Sequence, residues 1–82
     1  MILTMGNRTL TTNLELLNGG DVINIPELDY FEVSYGSRES LINNLIAFIF
    51  KCWDELVLIE DEFLTEKDLK AKRFMQEHFR AC

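Results

Sequence analysis

The stretch LINNLIAFIFKCWDEL, residues 41–56, constrains the fold of this chain more than any other. On a helical wheel at about 100° per residue, Leu41, Ile42, Leu45, Ile46, Phe48, Ile49, Phe50, Cys52, Trp53, Leu56 and Val57 fall in one unbroken arc about 200° wide. A helix lying on a single surface needs an apolar arc of only about 100°. This rod therefore needs two covers. One is a sheet presenting Leu10, Leu14 and Leu16. The other is either the C-terminal helix or a second copy of the chain, closed two-fold dimers being the commonest oligomers. Beyond Val57 the pattern fails: Leu58 lands on the polar side and Glu60 on the apolar side, so the helix ends there. Gly36 ends the segment before it, and Ser37 or Ser40 can cap its start by accepting a backbone N–H bond.

Upstream of the rod the periodicity is two. In RTLTTNLELL, Leu10, Thr12, Leu14 and Leu16 point one way and Thr9, Thr11, Asn13 and Glu15 the other, the mark of a half-buried strand. Gly6 and Asn7 can turn a short strand over residues 2–5 into it. Asn18 and Gly19 in NGGD tolerate the positive φ of a tight turn. Pro26 follows VINI and lacks a ladder donor, so that piece is an edge strand or is broken by a bulge. In DYFEVSYG, Phe31, Val33 and Tyr35 share a face. The periodicity leaves open whether residues 22–35 are one bent strand or two.

Downstream, Thr65 is a candidate N-cap with Asp68 three residues on, and Leu64 and Leu69 occupy hydrophobic-staple positions. The apolar stripe that follows is Ala71, Phe74, Met75, His78, Phe79 and Cys82. The whole pattern predicts an α+β domain spanning residues 1–82. An antiparallel three- or four-stranded meander over roughly residues 2–35 precedes two helices, at roughly 38–58 and 66–80, packed on one face.

Eighty-two residues suffice for one domain. A chain of this size hides only about 60–65% of its unfolded surface. The net charge is −6, and eleven of the 14 acids precede residue 65, against three of the eight bases. That balance argues against general nucleic-acid binding, which needs a basic surface to displace counterions, and against an anionic membrane surface. It suits docking onto a basic partner. Asn43 and Asn44 interrupt an apolar run already too short to span a bilayer. No secretory signal is visible at the start, so a cytoplasmic, reducing setting is expected, that of the host cell for a phage-encoded chain.

Motifs that carry chemistry are absent: there is no phosphate-binding glycine loop, no HExxH, no CxxC, no EF-hand loop and no GxSxG. No catalytic residue and no cofactor are expected. His78 and Cys82 have metal-like spacing and Cys52 could supply a third ligand. Both members of the pair lie in an apolar stripe, however, and no fourth ligand is evident, so a structural role is expected and no metal. Cys52 sits mid-arc, a poor setting for a reactive thiolate. Two cysteines form at most one bond, between Cys52 and Cys82.

One feature remains that chemistry does not exclude. Asp54, Glu55, Glu60, Asp61 and Glu62 cluster at the end of the first helix and in the connection after it. Acids are unfavourable at the negative end of a helix dipole. This patch is the expected contact for a basic partner protein, with Phe48, Phe50 and Trp53 as candidate partner or dimer anchors, aromatic anchors dominating interfaces. The last helix mixes Lys70, Arg73 and Arg80 with Glu66 and Glu77 on its outer face, which disfavours phosphate docking. The function expected is that of a small acidic, non-enzymatic module that occupies another protein's surface. Size, charge and lack of chemistry are shared with inhibitors encoded by phages and mobile elements, anti-CRISPR proteins among them. A homodimeric structural or regulatory protein centred on the first helix is the alternative. A nucleic-acid-binding regulator using the last helix comes third.

Overall fold

A computed structural model describes residues 1–16, 21–34 and 36–81. The fold is α+β, with antiparallel strands followed by two helices, as the periodicities predict. Strands β1 (Ile2–Met5) and β2 (Arg8–Thr12) form a hairpin whose register pairs Met5 with Arg8. Only Gly6 and Asn7 lie between them. Gly6 has φ +63°, the conformation a two-residue hairpin loop asks of its first residue. Alternation sends Leu3 and Leu10 into the core together. The strand stops at Thr12, whose Oγ accepts the Leu14 N–H at 3.1 Å and curls the chain away from the ladder. The NGGD turn lies mostly outside the described residues.

Residues 22–33 form two strands. β3 (Val22–Ile25) and β4 (Tyr30–Val33) are separated by a 3₁₀ turn, Pro26–Leu28, and by Asp29 in the left-handed conformation at φ 55°. Pro26 starts that turn, where its missing donor costs nothing. Ile23 pairs with Glu32 and Ile25 with Tyr30, so these four share the inward face. Phe31 and Val33 do share a face, and it is the outer one: Phe31 is 67% exposed. Tyr35 lies outside the described residues.

Helix α1 (Arg38–Cys52) is capped by Ser37, whose Oγ accepts the Ser40 N–H at 3.3 Å. It widens into a π-helical turn over Trp53–Val57, so the helical run ends where the wheel pattern fails. The wide apolar arc finds both its covers within the chain. α1 lies against β1, while Phe48 stacks on Tyr30 of β4 with ring centroids 4.3 Å apart. Helix α2 (Glu66–His78) packs on the π turn. Leu41, Leu45, Ile49 and Phe50 are buried, and Ile42, Ile46, Phe48 and Trp53 are half-buried. The most deeply buried part of the arc is thus covered from within the chain.

Thr65 caps α2 by accepting the Asp68 N–H at 3.2 Å. Ala71, Met75 and Phe79 are buried and Phe74 and His78 half-buried, as the stripe predicts. The helix ends at His78, two residues short of expectation, because Phe79 turns extended (φ −125°, ψ 149°) and opens a fifth strand, β5 (Phe79–Ala81). β5 pairs antiparallel with β2, giving a three-stranded sheet in the order β1-β2-β5 beside the β3-β4 hairpin.

Candidate partner-binding surface

The five acids expected to form a patch divide into two kinds. Asp54 forms a two-pronged ion pair with Arg8 of β2, with N···O distances of 2.6 and 2.9 Å. The guanidinium donates to both oxygens and holds the Asp54 carboxyl below the usual carboxylate range. This pair also answers the dipole argument, since the acid near the negative end of α1 is offset by a base from the sheet. Asp61 pairs with Lys72 of α2 at 2.7 Å, and its pKa is likewise lowered by the ammonium's hydrogen bond. Glu55, Glu60 and Glu62 join no ion pair and accept no side-chain hydrogen bond among the described residues.

The connection that carries these acids has ordered backbone. Leu58 N–H donates to Trp53 O at 3.3 Å, which closes the π turn. Phe63 and Leu64 donate to Glu60 O and Asp61 O at 3.0 and 3.1 Å around a 3₁₀ turn, Asp61–Phe63. Lys72, only 8% exposed, reaches from α2 to donate to Ile59 O at 2.6 Å as well as pairing with Asp61. One buried ammonium thus ties both sides of the connection to the second helix.

On that held backbone three apolar side chains face water. Phe63 is 74% exposed, Leu58 66% and Ile59 38%. A contiguous exposed apolar patch rimmed by charge is the kind of surface that a partner covers. The sequence pattern does not mark Leu58 or Phe63 as contact residues. The signal for Leu58 was its place on the polar side of the wheel. For Phe63 it was an aromatic set among acids and ahead of the Thr65 cap, out of step with the α2 stripe.

The aromatic anchors expected from the wheel lie elsewhere. Phe50 is not an anchor, contrary to expectation: it is 1% exposed, and the Arg8 guanidinium sits 4.9 Å from its ring centroid, so it belongs to the core and presents nothing to a partner. Phe48 is half-buried by its stack on Tyr30, and Trp53 is half-buried in the π turn beside the core. Tyr30 also donates to Glu32, which accepts from Asn44 at 2.8 Å, joining β4 to α1. Burial and the Glu32 bond raise the Tyr30 pKa, and the Tyr30 bond, followed by that of Asn44, lowers that of Glu32.

Cys52 is buried against the core, and desolvation pushes its thiol up to about 11, far from a thiolate nucleophile at neutral pH. Cys82 and any bond it forms lie outside the described residues. His78 Nδ1 lies 3.1 Å from Asn13 Oδ1, and its ring tilts against Phe74 at 4.8 Å, which gives the histidine structural partners. Among the described residues no group of three His, Cys, Asp or Glu side chains is placed to hold a metal ion. Among the same residues no helix is long and apolar enough to cross a membrane.

The depressed carboxylates set an acid limit to stability. Asp54, Asp61 and Glu32 all have folded pKa values below their ordinary ones. Their stabilisation is complete above the unfolded values, near pH 4, and is lost as pH falls through the lower folded values. Thermal midpoints are therefore expected to fall steeply only below about pH 4. Asp54→Asn/Asp61→Asn should flatten that fall. A double variant whose midpoint tracks the wild type in parallel down to about pH 2 would show that these pairs contribute nothing.

Comparison of the chain with known protein families, with curated proteins and with solved structures gives no match.

Proposed function

We propose that this chain is a protein-binding module that occupies a partner's surface through the connection between its helices. Leu58 and Phe63 enter apolar pockets of the partner, and Glu55, Glu60 and Glu62 meet a basic rim. The observation that carries this reading is the pairing of high exposure with a held backbone: Phe63 at 74% and Leu58 at 66%, on a segment tied down by Lys72. A pre-ordered anchor loses little freedom on binding, so more of its burial appears as affinity. The unpaired acids add specificity and speed of encounter with a basic surface. Two of the five clustered acids, Asp54 and Asp61, serve this surface by holding it in place. Occupancy of this kind makes the module an inhibitor of whatever the covered surface does, the mode by which anti-defence proteins of phages and mobile elements act.

The test is a capture experiment from the native host with four proteins: wild type, Phe63→Ser, Glu55→Lys/Glu60→Lys/Glu62→Lys, and Phe31→Ser as a surface control. A specific partner should be retained by wild type and control. Each of the other two should weaken binding by a factor of about 30 or more, the effect of losing a hot-spot residue, with circular dichroism unchanged. A partner held equally by all four would remove the proposal.

A further inference from the structure

A cleft of about 370 Å³ opens between the segment that follows β2 and strand β3, over the flank of α2. Its walls are largely apolar: Leu14, Leu16, Ile25 and Phe74 line it. Three acidic residues, Glu15, Asp21 and Glu27, all exposed, also line it, and no basic residue does among the described residues. None of the three carboxylates joins an ion pair among those residues. The volume lies in the lower part of the range of small-molecule sites, which combine apolar walls with a few convergent polar groups.

We infer that this cleft is a binding site for a small organic cation, an ammonium or guanidinium group carried on an alkyl or aryl body. The chemistry of the lining selects the class. Carboxylates of one sign beside low-dielectric walls concentrate cations and repel anions. The body of such a ligand displaces water from Leu14, Leu16, Ile25 and Phe74. A bare inorganic cation leaves the apolar walls wet, and a neutral hydrocarbon leaves the carboxylates unused. The site is separate from the Leu58–Phe63 connection and does not depend on the function proposed for it.

Amide chemical-shift titration of the full chain tests this with three probes. Phenethylammonium carries body and charge, phenylacetate the body with the opposite charge, and methylammonium the charge alone. Phenethylammonium should give saturable shifts centred on residues 14–16 and 21–27, and the other two should give none at equal concentration. Glu15→Gln/Asp21→Asn/Glu27→Gln, which leaves the apolar core intact, should weaken phenethylammonium by roughly tenfold or more. The inference is overturned by absence of saturable shifts up to about 10 mM, which places Kd above the millimolar range. It is equally overturned by matching shifts with phenylacetate, or by undiminished binding to the triple variant.

Discussion

Phe50→Ala is expected to remove about 3–5 kcal/mol of folding free energy, the usual result of truncating a buried phenylalanine. The ring is 1% exposed, on the same helix as the fully buried Leu45 and Ile49, and capped by the Arg8 guanidinium. Truncation loses the transfer energy of the ring and opens a cavity bounded by a helix and a sheet, neither free to collapse. Small domains hold only about 5–15 kcal/mol in total, so little remains. Urea denaturation followed by Trp53 fluorescence and by helical ellipticity should give coincident transitions at a lower midpoint with the slope preserved. Phe50→Glu should give an unfolded chain. A shift worth less than about 1 kcal/mol, or a soluble folded Phe50→Glu, would place the ring at the surface.

Lys72→Met is expected to cost about 1–3 kcal/mol, the range for losing a hydrogen bond made by a charged group. Methionine keeps most of the apolar stem, so the change isolates the ammonium. What is lost is the 2.6 Å bond to Ile59 O and the 2.7 Å pair with Asp61. The local effect should exceed the global one. Hydrogen exchange at the Phe63 and Leu64 amides, which donate to Glu60 O and Asp61 O, should accelerate more than exchange within α1. Asp61→Asn should do less, because that carboxylate is 67% exposed and its pair is screened. Unchanged exchange at Phe63 and Leu64 in Lys72→Met would mean that the connection holds itself. The organising role given to the lysine would then fall.

Most of the fold was legible because its signals are local. The Ser37 and Thr65 caps, the helical run to Val57 and the strand alternation each sit within a few residues of chain. What escaped depends on partners far away in sequence. The stripe of α2 continues through Phe79, and nothing in its period separates a helix from the short strand that Thr12 recruits. Alternation in residues 30–33 shows which residues share a face but not which face is inside, since Ile23 and Ile25 decide that from the neighbouring strand. The same limit governs the site. The acids were visible as a cluster. That Arg8 and Lys72 claim two of them, and that Arg8 also covers Phe50, is settled only when β2 and α2 reach α1. A wheel ranks residues by angle, so it favoured Phe50 at the margin of the arc over Phe63, which lies beyond the helix altogether.

The pairing of β5 with β2 joins segments separated by almost the whole chain, Thr11 lying opposite Arg80. Contacts of such separation form slowly, because a long loop must close before they can. Synthesis proceeds at about 5–20 residues per second, and β2 leaves the ribosome well ahead of its last neighbour. Until residue 81 emerges, the inner side of the hairpin holding Leu3 and Leu10 waits without the Phe79 ring beside it. The nascent polypeptide can coil α1 early, yet its sheet is finished only after translation has passed the final strand. A stalled ribosome short of that point therefore holds a chain with its greasy interior open, a natural client for chaperones.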